Sequence, residues 1–390
     1  HSTSRRQRQM CIRDRSNDTF EDYGLFTQVE QLNKTALKAH GLDKTGHLYK
    51  VNNFEFYRYE DTIKLADDPD YNQAAFEGML EIKGDSDHTK LIEMLDALND
   101  ESQKIDNVLD TYFDTENLVY WLAFQILTGN CDTQNRNCYL YSPLNSKTWY
   151  FLDWDNDGML RKLELSLKGF SDYASWERGV SNYWGNVLFN RALRSKSFRS
   201  ELDRAVKDLR SYLTEARLAK MIKHYREVTE SLIFASPDID NLPVTKDQYE
   251  QIAAAIPSEI EENYKSFLES YKKPMPFYIG VPQIDNGKLR INWDAAYDFK
   301  ARDIRYTVEL ARDYAISDVL FKAEDVLLPE VTCDAPDSGQ YFVRVRATNS
   351  DGYTQDAFDC YVTDGGKQYS MKCFYVQDGG KVVEDTYEEG

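Results

Sequence analysis

Cysteine and histidine are scarce in this chain. Six Cys and five His are spread over 390 residues, and no two Cys stand in C-x-x-C spacing. Cys131, Cys138, Cys333, Cys360 and Cys373 match no zinc pattern, so a structural zinc site is not expected. Buried thiols are the general expectation, with Cys360 and Cys373 able to pair in an oxidising compartment. Basic residues are also in deficit: 47 Lys and Arg against 66 Asp and Glu give a formal net charge of −19. That balance excludes an ordinary nucleic-acid binder, because a phosphate backbone needs a basic face. No run of eighteen apolar residues occurs, so no helical membrane span is expected. The glycine-rich pattern G-x-G-x-x-G is absent too. What remains is a globular composition, 42% hydrophobic and 13% aromatic, long enough for two or three domains.

The most informative stretch is Gly129 to Gly158, GNCDTQNRNCYLYSPLNSKTWYFLDWDNDG. A helix expected over Leu118 to Leu127, apolar almost all round and therefore buried, leads into it. Asp132 and Asn137 stand in D-x-x-x-x-N spacing. Cys138 to Ser142 reads as a strand, Pro143 to Lys147 as a turn, and Thr148 to Leu152 as a returning strand. The hairpin then delivers Asp153, Asp155 and Asp157 beside Asp132 and Asn137. Protein kinases place a catalytic-loop Asp, a metal-binding Asn, a hairpin and a second metal-binding Asp in this order. Asp132 can accept the proton of an attacking hydroxyl. Asn137 and Asp155 offer oxygen ligands to Mg²⁺ or Mn²⁺, with Asp153 and Asp157 as further ligands or supports. Asn130, Asn135 and Arg136 can position the loop or a phosphate.

Two rival readings share these residues. Asp153, Asp155, Asp157, Gly158 and Glu164 fit the spacing of an EF-hand calcium loop, but TWYFL before them reads as a strand where a helix is required. The acids can also simply cap a turn. For the phosphate-anchoring lysine, Lys83 on the expected strand Met79 to Lys83 is the first candidate. Glu93 on the next helix, His88 to Asn99, would be its partner. Lys50 and Glu30 are the alternatives. Cys131 and Cys138 sit beside acids that disfavour a thiolate, so neither reads as a nucleophile.

GNCDTQNRNCYLY followed by WYFLDWDNDG resembles the signature of the spore coat protein H (CotH) kinase-like family. GLFTQVEQLNK (Gly24 to Lys34), GHLYKV (Gly46 to Val51) and LEIKG (Leu80 to Gly84) resemble its early strands. The resemblance spans roughly Phe20 to Lys272 and implies an atypical kinase that moves phosphate from ATP to Ser or Thr of surface proteins. On it, Asp132 takes the catalytic-loop role and Asp155 the metal-binding role. It also implies an extracytoplasmic, secreted or spore-coat setting.

The expected fold is α+β, with a kinase-like domain having a truncated N-lobe and helical C-lobe over 17–272. A linker at 273–276 and an all-β sandwich over 277–365 follow. In the sandwich, GQYFVRVRATN (Gly339 to Asn349) followed by Gly352 resembles the penultimate strand of a fibronectin type III domain, with Tyr341 as corner tyrosine and Trp293 and Tyr306 in the core. Residues 366–390 are a tail or an added hairpin. Residues 1–16 lack periodicity, and QMCIRDRS resembles a translated sequencing-adapter scar. They are expected to be non-native and disordered, with the native start upstream and any secretion signal lost. The alternative function is a catalytically inactive surface or adhesion protein that binds a cell-surface partner through the fibronectin-like module.

Overall fold

The computed structural model describes residues 8–16, 19–169, 173–363 and 366–385. They fall into two compact units, residues 1–169 with 195–262, and residues 170–194 with 263–390. The division comes before the expected linker, and the second unit also takes in the segment 170–194.

The first unit begins with strands β1 (Arg8–Ser16) and β2 (Thr19–Gln28), α1 (Lys34–Ala39) and β3 (His47–Val51). Next come α2 (Gln73–Met79), β4 (Leu80–Ile82), α3 (Thr89–Asn99), α4 (Ile105–Tyr112) and α5 (Thr115–Thr128). The hairpin β5 (Cys138–Ser142) and β6 (Tyr150–Asp153) leads to α6 (Lys162–Leu167). An antiparallel sheet in the order β4-β3-β5-β6 forms its centre, with Cys138 opposite Asp153. Period-two alternation sorts its side chains. Leu48, Tyr139 and Tyr141 pack with Leu37 of α1 on one face. Tyr49, Trp149 and Phe151 are also fully buried or nearly so, and Phe151 meets Trp121 of α5 with ring centroids 4.9 Å apart. Each such aromatic contributes about 1.5–3 kcal/mol by burial.

The α5 helix starts where Asp114 Oδ1 accepts the Asn117 amide at 2.9 Å, and it stops at Gly129, whose φ of 66° favours glycine. The remaining helices of the chain are α7 (Val187–Arg194), which belongs to the second unit, α8 (Lys196–Tyr212) and α9 (Glu215–Ile233) of the first, and α10 (Lys246–Ser270), whose residues from 263 on count with the second. The run from Trp184 to Leu213 is thus two helices. Ser195 divides them, because its hydroxyl accepts the Phe198 amide and starts α8. The break expected at Pro257 does not occur, and α10 continues through it. Pro257 takes one backbone donor from the helix, and the turn after it carries buried Ile260 and the two-bond Arg210–Glu261 pair.

The expectation of disorder over 1–16 is corrected for residues 8–16. They form β1, paired antiparallel with β2 from Arg8 opposite Gln28 to Ser16 opposite Thr19. Adjacent extended segments satisfy one another's backbone groups even without hydrophobic periodicity. Residues 1–7 of that segment lie outside the described residues.

The second unit carries two β-layers. One is the sheet β11-β8-β7, with β7 (Gln283–Asp285), β8 (Lys288–Asn292) and β11 (Glu330–Asp334). The other runs β10-β9-β12-β16-β17, with β9 (Ile304–Ala311), β10 (Val319–Val326), β12 (Gly339–Asn349), β16 (Met371–Val376) and β17 (Val382–Glu384); β13 (Thr354–Asp356) also pairs with β12. A hairpin of β14 (Cys360–Thr363) and β15 (Gly366–Tyr369) stands apart. Trp293 and Tyr306 are buried in one core with Val343 and Phe374. Tyr341 Oη donates to the Asp337 carbonyl at 2.8 Å. No disulfide joins Cys360 and Cys373; Cys373 Sγ instead accepts from Gln340 at 3.3 Å.

Candidate active site

Two loops define the site. The first leaves α5 at Gly129 and runs to β5. The Asn130 backbone amide still donates to Gln125 at 3.0 Å, so the loop inherits its start from the helix. The Asn130 side chain is buried, and its Oδ1 accepts the Asp132 backbone amide at 3.3 Å. Asn137, with φ of 58°, turns its amide back to donate to Asp132 Oδ2 at 2.9 Å. Asn137 Oδ1 is therefore oriented as an acceptor. Arg136 Nε lies 3.7 Å from Asp132 Oδ1, both side chains being about half exposed; a pair of that kind adds little stability. On the outer side, Asn135 donates to Asn53 and Glu55, each at 2.7 Å.

The second loop leaves β6. Asp153 keeps an edge open to solvent, yet the protein packed around its carboxyl pushes its pKa up, against the lowering bonds from Gln125 and Asn156. Asp155 adopts a left-handed conformation (φ 54°, ψ 55°) and starts a single turn, Asn156–Gly158. The Leu160 amide then donates to the Thr128 carbonyl at 2.8 Å, returning the loop to α5.

The two loops touch. A Cβ on Gly158 would lie 2.5 Å from Asn130 Oδ1 and 3.6 Å from Asp132 Cβ, so only glycine permits the approach. Gln125, fully buried on α5, spans both loops. Its Nε2 donates to Asp153 Oδ1 at 3.0 Å and Asn156 Oδ1 at 3.2 Å. Its Oε1 accepts from Asn130 at 3.0 Å.

The fold thus gathers Asn130, Asp132, Arg136 and Asn137 against the loop that carries Asp153, Asp155 and Asp157. It does not gather the expected lysine pair. Lys83 binds Glu81, while Glu93 binds Lys147 at 2.9 Å. The short β4 explains this: the Lys83 backbone amide donates to Leu48 at the sheet edge, which leaves its side chain beside Glu81. Lys50 Nζ lies 5.8 Å from the ring centroid of Trp154, the residue between Asp153 and Asp155 in sequence. Glu30 pairs with His40 at 3.0 Å. The calcium-loop reading fails, since a strand precedes the acids and Glu164 is held by Arg161 at 3.0 Å and Lys168 at 2.6 Å. Burial pushes the Cys138 thiol pKa well up, which keeps it protonated. Sequence reasoning missed Gln125 and Asn156. The available signal was an amide inside the apolar run Leu118 to Leu127.

No cluster of three or more His, Cys, Asp or Glu side chains able to hold a metal occurs among the described residues. The donor set at the two loops is instead carboxylate plus amide oxygen, which suits a hard cation such as Mg²⁺ or Mn²⁺. No helix among the described residues is long and apolar enough to cross a membrane.

No curated protein matches this chain. The sequence model of the family described as CotH kinase protein matches residues 9–267. That match takes in the whole of both loops and covers well over half of the sequence, so the chain belongs to the CotH kinase family and with it to the kinase-like phosphotransferases.

Proposed function

We propose that this protein transfers the γ-phosphate of ATP to Ser or Thr hydroxyls of a surface or secreted protein, with Mg²⁺ or Mn²⁺. The observation that carries the reading is the contact of the two acidic loops at Gly158. Phosphoryl transfer asks a protein mainly for positioning and charge stabilisation. Asp132 is more than half exposed, so an incoming hydroxyl can reach its carboxylate and give up its proton there. Asn137 keeps Asp132 oriented with its amide nitrogen and presents its oxygen to a cation. Asp155 supplies the facing carboxylate. Asp157, exposed, and the Asp153 Oδ2 edge are supporting donors. Arg136 stands where it can meet a phosphate, and Asn130 holds the loop. A divalent cation bound between the loops would neutralise the phosphate oxygens.

We read the second unit as a fibronectin type III-like sandwich. The two-sheet strand order and the Tyr341 bond to Asp337 support that assignment. Together with the family, such a module favours an extracytoplasmic or spore-coat setting. Labelled ATP, divalent cation and a Ser-rich acceptor test the activity, with Asp132→Ala and Asp155→Ala as controls. The expected result is labelling by the wild type alone. Equal labelling by all three proteins removes the proposal.

A further inference from the structure

Gln125 is a fully buried amide in a helix whose other buried residues, Thr128 apart, are apolar. Every hydrogen-bonding atom of its side chain is committed: two donations go to Asp153 and Asn156, and one acceptance comes from Asn130. Asn130 Oδ1 is fixed by the Asp132 backbone amide, so Asn130 Nδ2 must face Gln125 Oε1, and the Gln125 amide cannot flip without setting donor against donor. Its orientation is therefore fixed by the very loops it joins. Asn130 in turn holds the Asp132 backbone. The result is an unbroken path, from Asp132 through Asn130 and Gln125 to Asp153, two residues before Asp155.

We infer that Gln125 is a positioning residue, which locks the Asp132 loop and the Asp155 loop at a fixed separation and so sets the geometry of the cation site between them. The cation part of this inference rests on the phosphotransfer reading; the coupling of the loops does not. Neither loop alone fixes that separation. They meet directly at the close approach of Gly158 to Asn130, which limits how near they come, and through a long Asn130 Nδ2 donation to Asn156 Oδ1 at 3.4 Å, a weak limit on how far they part. Gln125, reaching both loops from α5 with bonds of 3.0 to 3.2 Å, supplies the stronger bound. Outer partners of metal-binding side chains commonly change metal affinity about ten- to a hundredfold when replaced.

The test uses Gln125→Glu, which keeps the shape and removes both donations, and Asn156→Ala, which cuts the same network from its more open end. Hydrogen exchange is followed over residues 129–137 and 153–160, and Mn²⁺-dependent ATP binding is titrated in parallel. The expected result is joint loss of protection in both loops in each variant, with β3 and β5 unaffected. Half-saturating Mn²⁺ rises about tenfold or more for Gln125→Glu. Unchanged exchange in either loop overturns the inference, as does loss confined to one of them. Failure of the wild type to bind ATP with Mn²⁺, with joint loss of protection intact, sinks the phosphotransfer reading and leaves the coupling standing.

Discussion

Acid should weaken the first unit through one histidine. His88 is fully buried at the start of α3. Tyr49 Oη lies 2.9 Å from its Nδ1, Tyr71 Oη 3.2 Å from its Nε2, and Phe76 stacks on the ring at 4.1 Å. Burial, aided by the charge of nearby His47, lowers its pKa from 6.5 to about 4, against the raising effect of Asp87 and Asp85. In the unfolded chain the group protonates near 6.5, so between pH 6.5 and 4 the unfolded state binds more protons. Stability is therefore fully present above 6.5 and falls as the pH drops. The gap of about 2.5 pH units corresponds to a loss of about 2 kcal/mol by pH 5 and about 3 kcal/mol by pH 4. His88→Phe removes this titration but leaves Tyr49 Oη without its partner, at a cost of about 1–3 kcal/mol near neutrality. Urea unfolding followed by Trp149, whose ring centroid lies 6.0 Å from those of both His47 and Tyr49, gives the readout. The variant should be the less stable protein at pH 7.5, with the difference narrowing by about 2 kcal/mol at pH 5. Parallel pH profiles for the two proteins would refute the reasoning.

Further outcomes are expected. Gly158→Ala should force the loops apart at Asn130, lowering stability by roughly 1–2 kcal/mol and phosphotransfer by about tenfold or more; thermal melts and initial rates check both. Lys50→Ala should raise the ATP KM more than Lys83→Ala, because Lys50 sits over the ring of Trp154, next in sequence to Asp155, while Lys83 is occupied by Glu81; steady-state kinetics decide. Tyr341→Phe deletes the bond to Asp337 and should destabilise the second unit by about 1 kcal/mol, read by denaturant unfolding.

Local pattern carried the strands and helices around the site. The apolar helix ending at Gly129, the hairpin from Cys138, and the acids after it each follow from periodicity and turn chemistry. So does the meeting of the two loops at Gly158, since a returning hairpin must bring its end back to its start. Long-range pairing was not legible. Lys83 and Glu93 are ten residues apart on elements of the right type, yet β4 is too short and its edge bonds turn Lys83 to Glu81. Ser195 is one serine among several in RSKSFRS, and only its hydroxyl bond to Phe198 marks the break between α7 and α8. Gln125 was hidden because a single polar residue barely alters an apolar helix pattern, although its hydrogen bonds reach both loops. The strand at Arg8–Ser16 depends on pairing with β2 and carries no amphipathic signal of its own.

A crystal soaked with Mn²⁺ and a non-hydrolysable ATP analogue tests the central claim most directly. One Mn²⁺ should bind oxygen atoms of Asn137 and Asp155 together, about 2.2 Å from each, with Asp132 beside the terminal phosphate. A cation held by one loop alone, with the other loop's oxygens turned away, would contradict the account.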